Sequence, residues 1–250
     1  MRATGLRLLA SLFALSWLVL PGFGLIDLAV TWSSEWPQVL EAGWGLYFTF
    51  FVGLAFGFVA LRPRDSTPAL AQLFVAAAVL AVSSAAAREP GLIWVAVGIG
   101  LQAAIVMWVP QREPLARGVH PSSVSRPLLL LAAAGAVPWI VYALRMYELN
   151  REGGFSSDIT IGIDHYSVQG AVGVALVTLT SLAAVWPQGR RFIGVCAGIV
   201  AFYLGLVSLA WPDAAGGIDR LWSAAAMVWG IAFAALAITR AARVLLPRSS

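Results

Sequence analysis

The stretch Phe192-Ile193-Gly194-Val195-Cys196-Ala197-Gly198-Ile199-Val200-Ala201-Phe202-Tyr203-Leu204-Gly205-Leu206-Val207-Ser208-Leu209-Ala210-Trp211 contains no charged side chain. As a helix it would reach about 30 Å, the thickness of a bilayer's hydrocarbon core. Polar punctuation closes it on both sides: Pro187-Gln188-Gly189-Arg190-Arg191 before, and Pro212-Asp213 after. A core helix of a soluble protein keeps a charged face for water, and this run has none. Its small residues Gly194, Ala197, Gly198, Ala201 and Gly205 would let another helix approach closely in lipid.

Similar runs occur on both sides of this one. Apolar segments fall at 8–31, 44–61, 68–87, 91–109, 127–147, 165–186, 192–211 and 218–239, separated by connectors rich in Pro, Gly and charge. The expected fold class is therefore an all-α integral membrane protein. About eight transmembrane helices would form one bundle, with residues 1–250 as a single polytopic domain. Composition agrees: of 250 residues, 60% are hydrophobic and 11% charged, with mean hydropathy +0.84. Soluble domains carry about 25% charged residues. Further small-residue rows run along Gly45, Thr49, Gly53 and Gly57, and along Ala226, Gly230 and Ala234. They point first to packing within the chain, and they also offer a face to partner helices or a second copy. Many tryptophans, Trp32, Trp36, Trp44, Trp94, Trp108, Trp186, Trp211 and Trp222 among them, fall near predicted helix ends, as in an interfacial belt.

All sixteen basic residues are Arg, which fits a GC-rich bacterial coding bias. Without Lys there is no lysine Schiff base and no phosphate-binding loop of the Gly-Lys type. With the N-terminus in the cytoplasm, twelve Arg lie inside and four (Arg88, Arg145, Arg151 and Arg220) outside. The bias stays in phase through eight segments. The expected arrangement has both termini in the cytoplasm, and the expected setting is the plasma (inner) membrane of a bacterium. The net charge of +4 and pI near 9.8 then reflect topology, and no nucleic-acid partner is expected. Ten of the twelve acids fall outside, all but Asp65 and Glu113. An alternative reading makes residues 1–24 a cleaved signal peptide ending at Gly22-Phe23-Gly24, leaving seven crossings. The apolar run continues to Val30, which favours a retained helix.

The eight segments divide as four plus four in parallel. The first helix of each half carries a central proline, Pro21 or Pro138, followed by an ionisable residue, Asp27 or Arg145. The next helix opens with an acid near an aromatic: Glu41 with Trp44, and Asp164 with Tyr166. Interrupted helices at matching positions of two halves can mark a binding site.

Ionisable groups near lipid are costly and usually face the interior or each other. Asp27 and Arg145 are therefore expected to approach, with Glu148 one turn beyond Arg145. The most distinctive stretch runs from Ser156 through Asp158, Asp164 and His165 to Gly170. Asp164 is placed to cap a helix. His165 and Gln169 are four apart and share a face. A His beside carboxylates can titrate near neutral pH, bind a cation or orient a polar ligand. Gln102 is the deepest strong hydrogen-bonding side chain, suited to joining helices.

Several chemistries have no residues to carry them. Two His, one of them His120 in a loop, do not make a bis-His haem site. There is no His-Glu-x-x-His motif, and the lone Cys196 cannot form an internal disulfide. No cofactor, metal ligand or catalytic residue is assigned from sequence. The first expectation is a non-enzymatic carrier or small-ligand-binding membrane protein. Its polar vestibule, on the external side, would use Asp27, Arg145, Glu148, Asp164, His165 and Gln169, with Gln102 deeper. A structural subunit or assembly factor of a membrane complex ranks second, and an intramembrane enzyme using His165 third.

Overall fold

A computed structural model describes residues 2–108, 124–153 and 159–245, with side chains described for residues 4–108, 124–153 and 160–239. His120, Asp158, Ser156 and Glu113 lie outside the described residues. Among the described residues the regular structure is helical apart from one hairpin with two-residue strands. The helices are α1 Arg2–Leu18, α2 Gly24–Val30, α3 Gln38–Leu61, α4 Thr67–Ala87, α5 Gly91–Trp108, α6 Arg126–Arg151, α7 His165–Val185, α8 Pro187–Ala210 and α9 Arg220–Leu245. Seven of them, α3 to α9, are long and apolar enough to cross a membrane.

The expected first helix, 8–31, is corrected by the structure: it is two helices. Pro21 brings no N–H to continue the ladder. Gly22 instead turns back, donating to Ser16 O at 2.8 Å, and Phe23 takes a left-handed conformation at φ 58°. Gly22 sits so close to the Trp17 backbone that a Cβ there would lie 2.5 Å from its Cα. Even so, the broken pair runs the length of α3. Phe13 and Leu18 of α1 pack on Phe56 and Gly53, while Leu28 of α2 packs on Gly45.

The second expected helix begins earlier than the predicted residue 44. Pro37 leads into α3 at Gln38, and Glu41 stands in the first turn, where an acid complements the helix dipole. Within α3, residues Tyr47–Gly53 are wound as a π-helix. Gln72 of α4 donates to the carbonyls of Phe50 and Phe51 in this segment, at 3.0 and 3.2 Å.

The most buried helices are α3, α7 and α8, with α4 next; α5, α6 and α9 present large apolar side chains outward. The packing shows a regular plan. Helix α3 packs on α7, and α4 on α8; α4 also packs on α7, and α8 on α3. Helix α5 lies outside against α4, and α9 outside against α8. The α8–α9 contact uses the small residues: Gly198 faces the Gly230 carbonyl and Ala234, and Gly194 faces Ala237.

The connections gather at two ends. At one, Ile163 packs on Gly91, Tyr142 bonds to Gly216 O at 2.8 Å, Leu40 packs on Gly216, and Trp32 donates to Tyr203. This end holds connections 31–37, 88–90, 159–164 and 211–219. At the other, Ser125 N donates to Ala184 O, Arg190 donates to the carbonyls of Ala183 and Ala184, and Phe58 meets Phe192.

Candidate functional site

Three ionisable side chains meet at the first of these ends. Asp27 comes from α2, Glu41 from the first turn of α3, and His165 from the first residue of α7. One ligand atom of each lies within 4.8 Å of the others. All three are buried: Asp27 is 5% exposed, Glu41 4% and His165 0%. Ionised groups this well buried carry a desolvation cost of several kcal/mol each, so they persist only with close partners.

Local structure fixes each of them. Asp27 sits in the first turn of α2, and Thr31 Oγ1 bonds to the Asp27 carbonyl at 2.8 Å, closing that helix. Trp44, one turn after Glu41, stacks on the His165 ring at 4.7 Å between centroids and 25° between planes. Its Nε1 donates to Gly22 O at 2.9 Å, which ties the wall of the site to the break between α1 and α2. Phe48 and Trp17 extend the aromatic wall behind it.

His165 is held from the other side by the hairpin. Strand β1, Ile159–Thr160, pairs antiparallel with β2, Ile163–Asp164, in the register Thr160↔Ile163. The two turn residues Ile161 and Gly162 both have positive φ, 49° and 80°, as a two-residue hairpin of this hand requires. A β-branched residue there is strained. The tight turn brings Thr160 Oγ1 within 2.8 Å of His165 Nε2. Asp164 caps α7 by accepting from Tyr166 N at 2.9 Å, and its carbonyl accepts from Ser167 Oγ at 2.7 Å.

A second polar node adjoins the first. Gln169, one turn along α7 from His165, donates through Nε2 to Tyr142 Oη, and Tyr142 donates on to Gly216 O. The Gln169 Oε1 is buried without a hydrogen-bond partner among the described residues. It lies over Gly43, where any Cβ would overlap it.

Of the residues picked from sequence, Asp27, His165 and Gln169 are buried at this end, and Asp164 is half-buried above them. Arg145 and Glu148 are exposed on α6. Asp27 is gathered with Glu41 and His165, while the expected partner Arg145 stays on the surface. Gln102 accepts from Trp17 Nε1 at 2.7 Å and joins α5 to α1. Glu41 is not among the binding candidates that the sequence singles out. Its pairing with Trp44 at a helix opening was the available signal.

The donor set is two carboxylates and an imidazole, able to hold a cation or to exchange a proton. Cys196 is buried on α8, outside this group. Compared with protein-family models, with curated proteins and with solved structures, the chain matches none.

Proposed function

We propose that the protein is a multi-pass membrane protein that binds a small polar ligand or ion at this end, as a carrier or ligand-binding protein and not as an enzyme. The observation that carries this is the gathering of Asp27, Glu41 and His165, from three separate elements, into one buried group. Ionisable residues at such depth are expensive and are usually kept for a task. Exposed Arg145 and Glu148 then stand on the surrounding surface, and Gln102 serves helix packing.

The proposed setting is a bacterial plasma membrane, with both termini cytoplasmic and the site on the external side. The Arg bias supports that orientation, and the collection of connections at two ends supports the alternation behind it. The α1–α2 pair counts as the eighth crossing, because it runs the length of α3. The matching roles of α3 and α7, of α4 and α8, and of α5 and α9 support a four-plus-four parallel repeat. On this reading each half contributes its second helix to the site.

A structural-subunit role is the second reading. It is less favoured because the small-residue rows of α8 and α9 are used against each other. The test is a thermal-stability screen of the full chain in mild detergent against ions and small polar solutes. At least one solute should raise the melting temperature of the wild type and not of Asp27→Asn or Glu41→Gln. Identical responses of wild type and variants across the screen would remove the ligand-binding reading.

A further inference from the structure

We propose that Asp27, Glu41 and His165 form a three-ligand site for a divalent transition-metal cation of the zinc class, with the remaining coordination position open. The inference rests on the ligand-binding reading above and names its ligand.

Geometry comes first. Three atoms no more than 4.8 Å apart have a common centre within about 2.8 Å of each, which is 4.8 Å divided by √3. Zinc binds His nitrogen and carboxylate oxygen at about 2.0–2.2 Å. Each ligand atom therefore needs to close by under about 1 Å, within the reach of small side-chain rotations.

Charge comes second. Two carboxylates with a neutral imidazole carry a formal charge of −2, which one divalent cation balances. A proton on the imidazole balances only half of it. In a site nearly closed to water, that difference weighs heavily.

Donor chemistry comes third. An imidazole among the ligands favours zinc, copper, nickel or iron over the all-oxygen preferences of calcium and magnesium. No thiolate takes part, which disfavours the softest metals. Three protein ligands with an open position are the pattern of sites that exchange a ligand, in contrast to closed four-ligand structural sites.

The second shell fits as well. A metal-bound His normally passes its other ring N–H to an acceptor, which fixes the tautomer. Thr160 Oγ1 stands 2.8 Å from Nε2 and can supply that acceptor, in which case Nδ1 would be the metal-binding nitrogen. Trp44 packs flat on the ring and holds its plane.

The test uses the full chain, purified in detergent with any affinity tag removed, and Zn(II) or Co(II) alone as the probe. Equilibrium dialysis with elemental analysis should give one zinc per chain. Co(II) should show the intense visible bands of a low-coordinate N/O site. Glu41→Gln and His165→Ala should abolish both signals. Thr160→Val leaves all three ligands in place and should weaken binding tenfold to a hundredfold. It therefore keeps the test decisive if a ligand variant fails to fold. Equal zinc binding by wild type and all variants would overturn the proposal. So would no zinc or cobalt binding in a wild type whose organic ligand depends on Asp27 and Glu41, but that result would leave the ligand-binding reading standing. Absence of any Asp27- and Glu41-dependent ligand would overturn both.

Discussion

Gly43 stands where the Gln169 side chain crosses α3, two residues past Glu41. Its missing Cβ makes room for the Gln169 oxygen. Gly43→Ala should therefore lower stability by about 1–3 kcal/mol, the usual cost of forcing extra volume into a packed interior. Adding Gln169→Ala should return part of that loss, because the overlapping atom is gone. The two substitutions are in contact and should not be additive. Thermal unfolding of the four proteins in one detergent measures the cycle, and a Gly43→Ala variant as stable as wild type would show that the side chain simply moves aside. Sequence made His165, Gln169 and Asp27 visible because polar groups stand out in apolar runs. It hid Glu41 because acids near a predicted helix end are ordinary, and nothing local says which of them will be buried. The partners that gather Glu41 inward, Asp27 and His165, are 14 and 124 residues away in the chain. Arg145 misled for the matching reason: its position along a helix was legible, but not the side it faced.

Helix α3 shows how an element carries more information than its hydropathy. Its π segment, Tyr47–Gly53, has wider turns than an α-helix, and such segments recur near functional sites. Gln72 is wholly buried and gives both amide hydrogens to this segment's carbonyls. Gln72→Leu should cost about 1–2 kcal/mol, as expected for buried carbonyls deprived of a donor. Gln102→Leu, which breaks one interhelical bond to Trp17, should cost about 0.6 kcal/mol, the average for such bonds in a membrane protein. Chemical or thermal denaturation of both variants checks the ranking, and the reverse order would mean that the π segment does not need its donor. The existence of the long helices was readable from apolar length alone. Their local irregularities were not. Pro21 announced a disturbance in the first helix, but a proline in lipid more often kinks than breaks. The break followed from Gly22 and Phe23 acting with it. The early start of α3 was missed because Gln38 and Glu41 lower the local hydropathy, although Pro37 is a good entry to a helix.

Across the whole molecule, the two ends differ in charge. Described acids collect with the site, and only Asp65 of them lies among the connections of the opposite end, beside Arg62 and Arg64. The proposed orientation makes a direct prediction. In a Cys196→Ala background, Glu35→Cys and Asp213→Cys should react with a membrane-impermeant maleimide on intact cells. Arg64→Cys should react only after permeabilisation. All three side chains replaced are exposed. Labelling in the reverse pattern would invert the topology, and labelling of all three from one side would contradict the alternation. The alternation of Arg was legible because it is a property of the connectors. The proposed pairing of halves has a partial trace in the sequence, where prolines and helix-opening acids match, while the likeness of α3 and α7 comes from packing, which residue identity does not record. That correspondence bears on how the site would exchange what it holds. Glu41 and His165 ride on two long central helices that pack on each other, while Asp27 rides on the seven-residue α2 beyond the turn that ends α1. In chelate terms, the proposed site would draw two arms from long central helices and the third from a short helix packed on one of them. Were the proposed cation bound there, a displacement of α2 alone would open the chelate while leaving its other two arms in place.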